Sequence, residues 1–225
     1  MHQFLKFGIV LILLAVAIPA QAEYYLVKDG RPAAAIVLES DAPMAQAAAR
    51  ELQYHIRRAS GAELPLVSEA EARALPPQQV RLVIGNGATA RALEAESTRL
   101  PVETYLLKTQ GNVLLFNGHD SPVTERGHQV GEWNAATVWA VDRFLEEQLG
   151  ARWLWPGEVG TYVPLQKTIA LPELNIKARP ALEQRMLPQT LYRRSREGSP
   201  PILSRDEHAK VQEVAFAWQR RFQVG

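Results

Sequence analysis

Apolar residues recur every third or fourth position between Ala135 and Leu149. Val138, Val141, Leu145 and Leu149 form the stripe, and Ala135, Trp139 and Phe144 widen it. Asp142, Arg143, Glu146, Glu147 and Gln148 occupy the positions between, so the spacing predicts an amphipathic helix with these residues toward water. Gly150 follows the last apolar position, where glycine takes the left-handed capping conformation at little cost. Residues 151–155 then read as a short apolar strand stopped by Pro156 and Gly157.

The same recurrence of apolar and polar positions divides the rest of the chain. Apolar runs at 23–27 and 33–38 flank Lys28-Asp29-Gly30-Arg31-Pro32, and Asp-Gly between such runs predicts a β-hairpin. Met44, Ala48, Leu52, Ile56 and Ala59 predict a helix over 43–60, begun by Ser40-Asp41-Ala42-Pro43 and closed by Gly61. Residues 64–67 return as a strand, and 68–79 is polar, with Pro76-Pro77 marking a loop. Residues 80–84 form a β-branched strand that runs through Gly85-Asn86-Gly87 into a helix over 88–96. Strands at 104–108 and 112–117 around Gln110-Gly111 predict a second hairpin, and 118–133 is a long polar loop. Residues 168–171 read as an edge strand, 176–180 as the way out of the domain, and 193–201 as a linker or loop. Ser204-Arg205-Asp206-Glu207 is a capping box opening a helix with Val211, Val214, Ala215, Trp218 and Phe222 on its apolar side. The fold class expected is α/β (α+β): a mixed β-sheet covered by two or three helices.

The first residues alter where this protein is expected to work. Lys6, an apolar run at 7–18, Pro19 and Ala20-Gln21-Ala22 make a secretory signal peptide, cleaved after Ala22. The run is shorter than the roughly 20 residues of a membrane span. An exported protein, periplasmic or extracellular and with no membrane segment after cleavage, is expected; an uncleaved anchor is the alternative. The chain holds 25 Lys and Arg against 24 Asp and Glu. Residues 1–22 contain Lys6 and no acid, so the mature charge balances. Nothing there resembles the clustered positive charge that nucleic acid or an anionic membrane requires. With no cysteine, disulfides and thiolate metal sites are excluded and stability rests on a packed core.

Four groups of residues carry candidate chemistry. Gly85, Gly87 and Ala90 spell G-x-G-x-x-A after a strand, with Glu103 near the distance of a ribose-binding acid; a plain tight turn is the ordinary reading. His119, Asp120, Glu125, His128 and Glu132 crowd the long loop, but at spacings that match no standard metal pattern, so no metal and no cofactor are expected. Neither a G-x-S-x-G elbow nor a cysteine nucleophile is present. Trp153, Trp155 and Tyr162 could stack on a sugar ring, with Glu158 accepting hydroxyl hydrogen bonds. As strand residues two apart, the tryptophans would share a face, which could equally pack on the preceding helix or a following domain.

The helix followed by Leu-Gly-Ala-Arg-Trp-Leu-Trp-Pro-Gly-Glu at 149–158 and Val163-Pro164 resembles a known arrangement. It is similar to the end of the N-terminal domain that precedes the catalytic barrel in α-glucuronidases and related bacterial glycoside-hydrolase-like proteins. The resemblance spans most of the mature chain in arrangement and is specific in residues over 138–164. Arg179-Pro180 followed by Arg185-Met186-Leu187 resembles the first barrel strand, where in related hexosaminidase-type barrels an arginine, here Arg185, holds substrate hydroxyls. Pro188-Gln189-Thr190 departs from the Asn-His-Trp-Asp-like stretch of α-glucuronidases, so the likeness does not extend to uronic-acid specificity.

The resemblance implies a signal peptide at 1–22, an accessory domain at 23–176, and at 177–225 the start of a truncated (β/α)8 barrel or a linker plus helix. A complete barrel takes about 250 residues, so at most the first βα unit fits. The paired carboxylates of a glycosidase would lie on later strands, leaving no catalytic residue here. The expected role is a non-catalytic accessory domain in carbohydrate metabolism, meeting carbohydrate only through a missing catalytic domain. Trp153, Trp155, Glu158 and Arg185 are its candidate substrate contacts. The rivals are a self-standing carbohydrate- or partner-binding module and a small exported hydrolase or metal enzyme using the 118–133 loop.

Overall fold

The computed structural model describes residues 24–120 and 135–181, together with the helical positions Lys210, Val211, Val214, Ala215, Trp218 and Arg221. The signal-peptide segment, Glu125, His128, Glu132, Arg185, the 193–201 linker and the capping box at 204–207 lie outside the described residues.

Strand β1 (Tyr25–Lys28) turns at Asp29-Gly30 into β2 (Arg31–Pro32), pairing Val27 with Pro32 and Lys28 with Arg31. Both turn residues have positive φ, as Asp-Gly hairpin turns require. The hairpin is therefore at the expected turn, but its second arm is only two residues long. Beyond Ala33 the chain crosses to the main sheet as β3 (Ala34–Leu38). The physical reason is burial on both faces: Ala34, Ala35, Ile36 and Val37 all lie inside, which suits a central parallel strand.

Helix α1 (Pro43–Ser60) follows, with proline at its start and Gly61 ending it at φ +82°, its N–H bonded to the Arg57 carbonyl at 2.8 Å. The residue at the N-cap is Ala42, which lends no side-chain bond; Ser40 Oγ instead accepts the Ala42 N–H at 3.2 Å. Ala48, Leu52, Ile56 and Ala59 are buried as expected, Met44 is only partly buried, and Ala45, Ala49, His55 and Ser60 join the buried face. Strand β4 (Leu66–Ser68) pairs parallel to β3. The polar stretch after it contains a short helix, α2 (Glu69–Ala72), set by a capping box in which Ser68 and Glu71 exchange bonds. Strand β5 (Val80–Ile84) returns to the other side of β3 and leads to α3 (Ala88–Ala92).

Strands β6 (Tyr105–Gln110) and β7 (Val113–Gly118) form the second hairpin, with β7 parallel to β5. Helix α4 (Ala136–Glu147) precedes Gly150, whose φ of +77° confirms the predicted reversal. A small hairpin then pairs β8 (Arg152–Trp153) with β9 (Thr161–Tyr162). β10 (Ile169–Ala170) pairs with β1, and β11 (Asn175–Ala178) pairs antiparallel with β6. Residues 176–180 thus begin as a sheet strand, not as an exit, and the sheet runs past residue 176.

The main sheet has the order β11-β6-β7-β5-β3-β4. Alternate residues separate two cores. Ile36, Leu82, Leu107, Leu114 and Phe116 pack with α1 and α4, while Val37, Val83, Leu106 and Leu115 pack with Ala72 of α2 and Ala90 of α3. The observed architecture is a mixed α/β fold with helices on both faces. Asp142, expected toward water, is buried on α4 because the helix is enclosed over most of its circumference. No described helix is long and apolar enough to cross a membrane.

Candidate functional site

The carboxyl ends of β3 and β5 mark the point where the strand order reverses, the usual ligand crevice of an open α/β sheet. Here the chain fills it with its own acid. Glu39 accepts the Thr89 N–H at 2.8 Å and the Thr89 hydroxyl at 2.5 Å, at the start of α3. A Cβ on Gly87 would stand 2.6 Å from Glu39 Oε2, so this glycine is explained by the carboxylate beside it. Glu39 takes the place a phosphate would need, and the G-x-G-x-x-A spacing serves a tight turn. Glu103 lies elsewhere, its N–H bonded to the His119 carbonyl at 2.9 Å.

Of the polar loop, His119 and Asp120 fall among the described residues. His119 Nδ1 lies 2.6 Å from the Leu100 carbonyl, and Asp120 accepts the N–H and hydroxyl of Thr137, each at 2.8 Å. Burial raises the Asp120 pKa, and the Thr137 bonds work against that rise. The carboxylate satisfies free amides at the start of α4, which gives it a structural use.

Trp153, Trp155, Glu158 and Tyr162 come together around the β8–β9 hairpin, but the two tryptophans do not share a face. Trp153 is 6 % exposed and Trp155 63 %. The strand ends at Trp153 and the chain bends through 154–157, which breaks the alternation. Across the ladder Trp153 is opposite Thr161, and Arg152 is opposite Tyr162. Cross-strand partners point the same way, so Tyr162 lies with Arg152 on the outer side, where both are exposed. Leu154, Val159 and Leu165 are exposed beside them.

Beneath the hairpin lies a polar stripe of α1: Glu51, Tyr54, His55 and Arg58. The Trp153 indole N–H donates to His55 Nε2 at 3.2 Å. Arg58 donates to the Tyr54 hydroxyl at 2.7 Å, to the Thr161 carbonyl at 2.9 Å and to Glu158, while Tyr54 donates to the other Glu158 oxygen. The bond from Tyr54, assisted by Arg58 against partial desolvation, holds the Glu158 carboxyl below its ordinary value. Burial and the bond to Glu158 raise Tyr54. From the C-terminal helix, Trp218 donates to the Trp153 carbonyl at 2.9 Å, and Arg221 lies over the Trp153 ring and pairs with Glu51.

Sequence reasoning missed Glu51, Tyr54, His55, Arg58 and Arg221. One trace was legible: Glu51, His55 and Arg58 recur at helical spacing beside the apolar face of α1. That the stripe meets residues about a hundred positions later was not. Arg185 lies outside the described residues. In chemical terms the cluster can position an aromatic hairpin and present apolar surface; its acids are engaged with Arg58, Tyr54 and Arg221. Compared with known proteins, the chain matches no family model, and no curated protein matches it.

Proposed function

We propose that the chain is a non-catalytic accessory α/β domain of an exported glycoside-hydrolase-like protein, packing against a catalytic (β/α)8 barrel that its residues after Ala178 begin. The observation that carries this reading is the apolar surface at 154–165, where Leu154, Trp155, Tyr162, Leu165 (86 % exposed) and Val159 (100 %) lie open to solvent. Single exposed apolar residues are ordinary, but a group of large ones marks a surface that another protein covers. All of the group but Leu165 sits within the stretch, 138–164, that resembles the α-glucuronidase N-terminal domain in residues. Its aliphatic members suit burial against a neighbouring domain better than contact with sugar hydroxyls. In this role the domain supports, and forms part of the wall of, the cleft in which carbohydrate is bound.

A second reading, a self-standing carbohydrate-binding module, is favoured by the exposure of Trp155 and Tyr162 on one hairpin. Against it, Glu158, the carboxylate on the same hairpin, already accepts from Tyr54 and Arg58. Two measurements separate the readings. Reading the DNA beyond the codon for Gly225 is expected to find an in-frame barrel, and unrelated sequence there would overturn the accessory role. Titrating the purified chain with oligosaccharides while following tryptophan emission is expected to give no saturable change. A saturable change abolished by Trp155→Ala would establish the binding module.

A further inference from the structure

His55 is completely buried on α1, between the Tyr54 ring, edge-on at 5.0 Å, and the Trp153 ring at 5.5 Å. An indole N–H can only donate, so His55 Nε2 must accept from Trp153. That assigns the ring proton to Nδ1, which donates to the Glu51 carbonyl at 3.0 Å. Both nitrogens are used and the ring is neutral. Trp153 carries the arrangement outward. Its carbonyl accepts from Trp218, its ring lies 5.0 Å from the Arg221 guanidinium, and Arg221 pairs with Glu51, one turn before His55. These contacts between the C-terminal helix and the body therefore converge on residues that touch His55.

We propose that His55 is a proton-sensitive latch: a proton taken up at Nε2 sets two N–H groups against each other, loosens Trp153 from α1, and releases the helix bearing Trp218 and Arg221. The latch stands whether or not the apolar surface meets a barrel. The charged groups around the ring oppose one another. Glu51 Oε1, 3.7 Å from Nδ1, favours the imidazolium, but it is shared with Arg221. Arg221 from the C-terminal helix and Arg58 from α1 disfavour it, and Glu158 from the β8–β9 loop is near enough to interact with a charged His55. Burial is the largest influence, and it holds His55 below its ordinary value. The released state therefore takes the proton first. The latch is fully closed above the ordinary histidine value of about 6.5 and weakens as pH falls from there toward the lowered value.

Hydrogen exchange of the full chain, read as protection factors for amides around Trp218 at about pH 7.5 and about pH 5, tests this. Protection is expected to fall about tenfold for each unit by which His55 lies below its ordinary pKa. His55→Gln offers the Trp153 N–H an oxygen acceptor that does not titrate, so protection at the higher pH should persist and its pH dependence should vanish. Protection that does not change with pH in the unaltered chain, or that changes equally in H55Q, would overturn the latch. A second measurement does not depend on the variant folding: nitrogen NMR of the His55 ring in the unaltered chain. A neutral Nδ1–H tautomer titrating below the ordinary value is expected; an Nε2–H tautomer, or titration above that value, would refute it.

Discussion

In the middle of the six-stranded sheet, residues that face α1 and α4, such as Ile36, Leu82, Leu107 and Leu114, alternate with residues that face α2 and α3, such as Val37, Val83, Leu106 and Leu115. The β8–β9 hairpin has two ladder pairs and is tied to α1 by directed bonds, from Trp153 to His55 and from Arg58 to Glu158 and the Thr161 carbonyl. The sheet spreads its stability over many weak contacts, each of which tolerates a near-isosteric replacement. The hairpin concentrates its position in a few donors and acceptors that have no substitute. The first design gives a rigid body, and the second gives a part whose placement responds to protonation.

Two substitutions set the two designs side by side. Phe116 is fully buried on β7 and meets Phe144 of α4 edge-on at 5.4 Å. Phe116→Ala should lower unfolding free energy by about 3–5 kcal/mol, measured in urea, because it removes a large side chain from a region that cannot collapse around the gap. A loss below about 1 kcal/mol would place the stability outside the sheet. Trp153→Phe keeps a six-membered aromatic ring and removes the indole N–H together with the five-membered part of the ring system. It should cost about 1–3 kcal/mol, since buried His55 Nε2 then lacks its donor and the smaller ring leaves a gap in the core. The same change should raise the His55 pKa, because the bond it deletes favours the neutral ring, and proton NMR of the imidazole would read that shift. An unmoved pKa would mean that Trp153 does not hold the tautomer.

The contrast also explains how much the sequence disclosed. Helices α1 and α4 were legible because a period of 3.6 survives any tertiary context that buries one side, and strands β5, β6 and β7 because short apolar runs end at Gly85-Asn86-Gly87 and around Gln110-Gly111. Gly61 and Gly150 were legible for a similar local reason. The crossing of β3 was not, because a run buried on both faces looks the same in a hairpin and in a parallel sheet. Of the candidate site, Trp153, Trp155, Glu158 and Tyr162 do gather at one hairpin. Which tryptophan turns inward depended on the chain bending after Trp153, and the polar partners come from α1, about a hundred residues earlier. Side-chain bonds over that separation leave no periodicity to read.

Glu158→Gln probes a weaker tie of the hairpin. The side chain is 72 % exposed, so the pairing with Arg58 and Tyr54 is screened by water, and the loss should be about 0–1 kcal/mol. Since Tyr54 and Arg58 hold this carboxyl below its ordinary value, its contribution is present above the unfolded carboxylate value of about 4.3 and fades as pH falls through the lowered one. The acid limb of a stability profile in Glu158→Gln should therefore be flatter than in the unaltered chain. An unchanged limb would show that Arg58 finds the hairpin without Glu158.

Trp155→Ser should have the smallest effect on folding and the clearest effect on association. Its side chain lies outside both cores, so the change in unfolding free energy should stay within about 0.5 kcal/mol. Trp153, two residues away, sets the scale: the same residue type, turned inward, carries bonds to His55 and Trp218. If the surface at 154–165 is one that a second domain covers, removing its largest ring should weaken that docking while leaving the fold intact. Isothermal titration between the chain and a separately produced downstream domain would measure the loss. A Trp155→Ser chain that binds as tightly as the unaltered one would show that the exposed tryptophan is incidental, and that the hairpin's meaning lies wholly in its inward-facing partner.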